Sequence, residues 1–380
     1  MEKIRIKENK ILCNMDEYLK PEFIYIPINN SNYLKGDYIY RNDMIDNNIY
    51  SPISGYVRED INKYIGNKKT KCMVIENDYK EKYRNNNYVF DKEKFINTLK
   101  NNKLIDIYDN YDVKYLIINA IDIEPYIFSK RLYINKYTKS ILNIIDCIMN
   151  KLNITKSVIA VTSLYDNLIS YIGTYPNIKI VRIDNYYPVS NDRLLLKELF
   201  GITYNKTSLE KKIWVVDLLS LFDIESIIKN NKMGNEMIIT VGGSFIKNCV
   251  MKIKIGTSFE EIIQYLGGSK ENSIITIGGP LTGKQIDNDE FIITKEINAI
   301  FVTENRFVNE RECILCGKCN SVCPVNLIPV FIMKNIDNKR LLNKLNVNKC
   351  IECGLCSYIC PSNVNLKKYI AKAKEVINNE

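Results

Sequence analysis

Eight of the chain's twelve cysteines fall into two runs of one pattern, C-x2-C-x2-C-x3-C-P. The first is CILCGKCNSVCP, with Cys313, Cys316, Cys319 and Cys323 ahead of Pro324. The second is CIECGLCSYICP, with Cys350, Cys353, Cys356 and Cys360 ahead of Pro361. Thiolates at this spacing wrap three ligands around one iron–sulfur cubane and leave the fourth pointing elsewhere. In two-cluster ferredoxins that fourth cysteine ligates the other cluster. The runs therefore predict two [4Fe–4S] clusters. One takes Cys313, Cys316, Cys319 and Cys360; the other takes Cys350, Cys353, Cys356 and Cys323. Structural zinc favours separated C-x2-C pairs over four cysteines crowded into one run. Disulfides suit small secreted chains rather than one of 380 residues. Gly317 and Gly354 follow the second ligand of each run, where a turn brings backbone N–H groups toward the cluster sulfurs. Thiolate-bound clusters of this kind suit an anaerobic or reducing cytosol. Cys13, Cys72, Cys147 and Cys249 stand singly and read as buried thiols.

The chain has no histidine. Ser-His-Asp and Cys-His catalysis are thereby excluded, and proton chemistry falls to Asp, Glu, Lys, Tyr, Cys or water. The formal charge of +9 is spread along the chain, and its densest run, Gly66–Lys71, is short. This is a solvated basic surface and not a nucleic-acid interface. No stretch approaches the roughly 18 apolar residues of a membrane helix, and the charged N-terminus lacks a signal-peptide pattern. A cytoplasmic protein is expected, docked at most peripherally on the inner face of the membrane.

The elements that must carry the cysteines follow from periodicity. FIYIPI, LKGDYIY and SPISGYV are short β-type runs broken by turn residues at Lys35–Asp37 and Ser54–Gly55. From about residue 110 the pattern alternates. VKYLIINA, SVIAVTS, IKIVRI and KKIWVVDLL read as strands, with helices over Lys139–Leu152 and DNLISYIG between them, which predicts an α/β unit with a largely parallel sheet. Trp214 lies within one of these strands and reads as core. MIITVGGSF, NCVMKIKIGTS, SFEEIIQYLGG and SIITIGGPLTG then suggest a compact β-grasp-like module. GGPLTG is not a phosphate loop, because Gly278 and Gly283 are followed by Lys284 and Gln285 where G-x4-G-K-[ST] is required. Helical periodicity between the cysteine runs and after them predicts a helical cluster unit.

Four segments taken together carry a family resemblance: SPISGYV at Ser51–Val57, LIINAIDIEPY at Leu116–Tyr126, GGPLTGK at Gly278–Lys284 and CIECGLCSYICPSNVNL at Cys350–Leu366. The chain resembles the RnfC-like family, the C subunit of the Rnf electron-transport complex. The resemblance implies a multidomain α/β and α+β chain. Residues 1–75 would form a barrel-sandwich hybrid (lipoyl-like) β module, and residues 90–230 a Rossmann-like α/β domain related to the flavin/NADH domain of complex I. Residues 235–290 would form a β-grasp soluble-ligand-binding (SLBB-like) domain, and residues 300–380 a helical dicluster ferredoxin domain. In that family NADH gives a hydride to FMN, which releases electrons singly to the clusters. Glu124 of the Glu124-Pro125-Tyr126 motif would be the cofactor-binding residue, or else a strand-end carboxylate held by backbone amides. Two departures matter. The family's glycine-rich loop corresponds here to Phe95–Asp112, which holds no glycine, and the Tyr187-Pro188 motif is followed by Val189, Ser190 and Asn191. Scaffold without FMN or NADH is therefore the expectation. The chain would relay electrons between redox proteins, ferredoxin- or flavodoxin-like or a reductase, or between Rnf-type membrane subunits. An NADH-oxidising electron-entry subunit and a docking protein with structural clusters are the alternatives.

Overall fold

The computed structural model describes residues 3–5, 17–46, 49–84, 88–105, 113–163, 165–201, 212–269, 273–305 and 309–378. It is a mixed α/β architecture with a parallel sheet and a helical C-terminal unit.

The N-terminal part is all β. Phe23–Pro27 alternates buried and half-buried residues and pairs antiparallel with Lys68–Asn77, which pairs in turn with Gly55–Ile65. Ile24, Ile26, Ile39, Ile53, Val57, Met73 and Ile75 close a small core of their own. Gly55 is obligatory there, because a Cβ would stand 1.9 Å from the Glu76 carbonyl oxygen.

The parallel sheet has four strands in the order Ile178–Arg182, Lys156–Val161, Tyr115–Asn119, Ile213–Asp217. Leu116, Ile117 and Ile118 are wholly buried, as expected of a strand covered on both faces. The helix Thr138–Leu152 covers one face through Ile141, Leu142, Ile145 and Ile148, and Asp192–Phe200 covers the other through Leu195 and Leu196. Strand order reverses between Tyr115–Asn119 and Ile213–Asp217, so the crevice beyond the ends of those two strands is where a ligand of such a sheet lies.

A six-stranded mixed sheet follows, in the order Lys284–Ile286, Ser273–Ile277, Ala299–Glu304, Glu236–Gly243, Cys249–Lys254, Glu17–Tyr18. Its helix Phe259–Leu266 starts at Ser258, whose hydroxyl accepts from Glu261 N, and ends at Gly267 in the left-handed region. This sheet shares one continuous core with the parallel sheet, from Leu116 and Ile145 to Phe259 and Phe291. Glu236 is the centre of a largely buried ionic network beneath the N-terminal part. It accepts from Arg41 at 2.9 Å, Lys252 at 2.5 Å and Lys254 at 3.3 Å, and Lys254 also meets Glu81 at 2.7 Å.

Cys72 and Cys249 are buried as expected, whereas Cys147, within the helix Thr138–Leu152, is only half-buried against the core. Cys13 lies outside the described residues. Trp214 is core, and its Nε1 donates to the Leu104 carbonyl. No helix among the described residues is long and apolar enough to cross a membrane.

Candidate functional site

The two cysteine runs fold as a pseudo-repeat. Each places a short helix after its second ligand, Lys318–Ser321 in the first and Leu355–Tyr358 in the second. Each is followed by a further helix, Pro329–Lys334 and Leu366–Asn378 respectively. Leu327, Ile332, Leu342, Val347, Ile370 and Ala373 form the core between the halves.

Cys323 of the first run lines one cavity with Cys350, Cys353 and Cys356 of the second, a space of about 370 Å³ counting its open mouth. Cys360 of the second run packs in one cluster with Cys313 and Cys319 of the first and with Cys356 of its own run. Each fourth cysteine thus sits near cysteines of the other run. Burial pushes the Cys356 thiol up to about 12, with the neighbouring Cys353 and Cys350 thiols adding to the effect. Burial likewise raises Cys353 to about 11, against a backbone hydrogen bond from Leu355. Four thiols in one buried space ionise together only against a compensating cation, as iron supplies. Four cysteines lining one cavity are a donor set that fits a polynuclear iron–sulfur cluster. Backbone N–H groups also reach the sulfurs: Leu327 N donates to Cys323 Sγ at 3.2 Å and Glu352 N to Cys350 Sγ at 3.4 Å.

Gly317 and Gly354 both take positive φ, +73° and +78°. At Gly317 a Cβ would meet nothing, but at Gly354 it would stand 2.4 Å from the Leu281 carbonyl oxygen. The second glycine therefore also lets the Gly278–Gly283 loop approach the cavity. The same junction holds Tyr187, whose hydroxyl donates to the Cys353 carbonyl at 2.6 Å, and Lys367, whose Nζ donates to the Thr282 carbonyl at 2.8 Å. Tyr187, Val322, Leu355, Leu281 and Cys353 pack together there.

Glu124 lies across this loop and is 2% exposed. Its Oε2 accepts from Leu281 N at 2.7 Å and Thr282 N at 3.3 Å, and the Thr282 hydroxyl donates to Oε1. The carboxylate is held by two backbone amides and a hydroxyl. Gly279 makes room for it: a Cβ there would lie 2.2 Å from the Glu124 carboxyl carbon. Gly279→Ala is expected to displace Glu124 and cost about 1–3 kcal/mol, from the unpaired amides and carboxylate. Denaturant unfolding of the variant beside wild type checks this.

Polar groups at the strand reversal pair with one another. Asp122 caps the helix Ser129–Lys136, accepting from Lys130 N at 2.9 Å and Arg131 N at 3.4 Å. Its burial pushes it up to about 6, against the charges of Arg131 and Lys130. The buried Lys130 ammonium pairs with Asp217 at the neighbouring strand end. Asn119 Nδ2 donates to the Ser190 carbonyl at 2.7 Å and to Asp192 Oδ1 at 3.0 Å, and Ser190 Oγ donates to the Ile123 carbonyl at 3.1 Å. No sequence motif singles out Asp122, Lys130, Asp217 or Lys367. The only signal for Asp122 and Asp217 is an acidic residue at or just after the end of a β-type run. Residues 95–101 of the glycine-free stretch are helical within Lys92–Asn101, and residues 106–112 lie outside the described residues.

The cysteine constellation defines an iron–sulfur protein that moves single electrons, and comparison with known proteins agrees. Residues 312–364 match the 4Fe-4S dicluster domain, and residues 94–231 match the Nuo51 FMN-binding domain. The resemblance to the RnfC-like family is borne out by the curated relatives. The C subunit of the ion-translocating oxidoreductase complex of Buchnera aphidicola subsp. Acyrthosiphon pisum is 28% identical over 345 residues, covering 82% of this chain and 72% of the relative. Its counterpart in Buchnera aphidicola subsp. Baizongia pistaciae is 25% identical, covering 74% and 62%. The C subunit of the proton-translocating ferredoxin:NAD(+) oxidoreductase complex of Clostridium ljungdahlii is 25% identical, covering 57% and 50%. The chain thus spans less than two thirds of the length of the latter two. A looser backbone likeness, with TM-score 0.48 and 11% identity over 75% of this chain and 57% of the other, is to a NAD+-reducing [NiFe]-hydrogenase in the H2-reduced state.

Proposed function

We propose that this protein is a one-electron relay that takes electrons from one redox protein and hands them to another through two [4Fe–4S] clusters, without FMN or NADH. Cys350, Cys353, Cys356 and Cys323 would hold the inner cluster, and Cys313, Cys316, Cys319 and Cys360 the outer one. Bound clusters would supply reversible one-electron chemistry at a potential set by burial, charge and hydrogen bonds to sulfur. The chain's part is to hold the thiolates, exclude water on the Tyr187 side, and leave Cys316 exposed toward a partner.

One observation supports the reading without flavin. The amides of Leu281–Thr282 and those at the start of Ser129–Lys136 already donate to Glu124 and Asp122, so these two places offer a phosphate no free backbone donors. The match to an FMN-binding domain favours the other reading, an NADH-oxidising electron-entry protein. Titrating the anaerobic protein with FMN and then NADH separates them. The relay reading expects no flavin retained and no bleaching by NADH; stoichiometric FMN with bleaching would establish electron entry from NADH.

The finer architecture belongs to the same reading. The β sheet of the N-terminal part fits a barrel-sandwich (lipoyl-like) module. The mixed sheet with its helix Phe259–Leu266 fits an SLBB-like β-grasp, with Ala299–Glu304 as a central strand. Partners would be ferredoxin- or flavodoxin-like proteins, a reductase, or Rnf-type subunits at a membrane's inner face. With a charge of +9, reduction by an acidic partner is expected to slow as salt is raised. Stopped-flow rates between low and high ionic strength check this, and a salt-independent rate would contradict it.

A further inference from the structure

We infer that Lys367 sets the electron balance between the two clusters by raising the potential of the inner one, the cluster of Cys323, Cys350, Cys353 and Cys356. The inference deepens the two-cluster reading above and rests on it. Two charged side chains, Lys367 and Glu352, line the inner cavity with the four cysteines. The Glu352 carboxylate is neutralised by Lys374, whose Nζ lies 2.6 Å from Oε1 and also donates to the Cys350 carbonyl at 2.8 Å. Lys367 makes no such ion pair among the described residues; the Glu124 carboxylate is held by the N–H and hydroxyl of Thr282 and lies outside the cavity lining. The half-buried Lys367 ammonium bonds the neutral Thr282 carbonyl at 2.8 Å and places its positive charge on the cavity wall.

The pseudo-repeat gives an internal control. Aligning Cys313 with Cys350 places Val330 in register with Lys367, Leu315 with Glu352 and Asp337 with Lys374. The first run thus has an apolar residue where the second has its lysine, and an acid where the second has its other lysine. A cluster gains one negative charge on reduction, and a cation fixed in a partly dry wall stabilises that charge more than it would in water. Burial alone works the other way, disfavouring the more charged reduced state. Lys367 opposes this at the inner cluster, and the Leu327 and Glu352 amides on Cys323 and Cys350 act in the same sense as Lys367. With Cys313, Cys316, Cys319 and Cys360 holding one cluster and Cys323, Cys350, Cys353 and Cys356 the other, the pair would supply transfer of one electron from the outer site to the inner one, with no bond made or broken and no proton moved. Lys367 is a positioning charge and also ties the cluster unit to the Gly278–Gly283 loop.

The test is an anaerobic redox titration of the full chain followed by electron paramagnetic resonance, on wild type, Lys367→Met and Lys367→Arg. The Cys316→Ala variant identifies which step belongs to the inner cluster. In wild type the inner cluster is expected to titrate at the higher potential. Lys367→Met should lower the inner cluster's reduced-to-oxidised ratio about tenfold at fixed poise, a shift of about 59 mV. The outer step should stay in place, and Lys367→Arg should restore the inner one. A role confined to tying the loop would weaken stability in Lys367→Met without moving the potential. With about eight irons per chain in wild type and both Lys367 variants, an unmoved inner step, equal movement of both steps, or an inner step below the outer one in wild type would each overturn the inference. Iron well below eight in wild type would instead overturn the two-cluster reading beneath it.

Discussion

Replacing Cys323 by Ala is expected to destroy or degrade the cluster held by Cys350, Cys353 and Cys356, although Cys323 belongs to the other run. Cys323 shares their cavity, and its sulfur accepts from Leu327 N within the core of the cluster unit. Losing one thiolate of four opens a corner of that cluster and leaves its iron at that corner without a protein ligand. Iron should fall from about eight per chain toward four or seven, depending on whether the damaged cluster is lost or only sheds its corner iron. The signal of the cluster on Cys313, Cys316 and Cys319 should persist. Cys360→Ala should give the mirror-image result. Loss confined to the Cys313, Cys316 and Cys319 cluster in Cys323→Ala would refute the crossed ligation.

The second large effect is on stability. Glu236→Ala is expected to cost about 3–5 kcal/mol, because it leaves Lys254 and Arg41 with an unbalanced buried charge. Lys254 is fully buried, and Glu236 is met by Arg41, Lys252 and Lys254 at once. Burial pushes the Glu236 carboxyl up, but the Lys252 hydrogen bond and the charges of Lys252, Lys254 and Arg41 outweigh it and hold the group at about 2. A carboxylate depressed on folding contributes its stability above the ordinary value of 4.5 and loses it as pH falls from there toward 2. Denaturant midpoints of wild type and variant should therefore differ most above about pH 5 and converge as the pH drops toward about 2. A constant gap across that range would mean the network is not carried by the ionised carboxylate. Arg41 and Glu81 join the N-terminal part to the mixed sheet through this network, so the variant should also loosen that contact. Protease sensitivity around residues 81–84 reports it.

These effects rest on features that are legible in the sequence to different degrees. Local patterns are plain: the cysteine spacing brings Cys323 to the second run, and the alternation of apolar runs gives the parallel sheet with Leu116–Ile118 at its centre. Trp214 falls to the core because its strand is apolar on both sides. Long-range partnerships are hidden. Glu17–Tyr18 completes the edge of a sheet whose next strand is Cys249–Lys254, a pairing no local pattern encodes. Glu124 and the Gly278–Gly283 loop each resemble part of a ligand cradle, and only their contact shows that one fills the other. The turn at Gly354 is evident locally, while its packing against Leu281 depends on an element far away in the chain. Lys367 resembles any lysine of an amphipathic helix, and only the helix's orientation puts it on the cavity wall.

The most direct test of the relay is iron analysis of the anaerobically purified chain combined with stepwise reduction followed by electron paramagnetic resonance. The account predicts about eight irons and two separate one-electron steps, with no flavin radical at any point. About four irons, or clusters that stay oxidised under strong low-potential reductants, would contradict it and leave the cysteines a purely structural role.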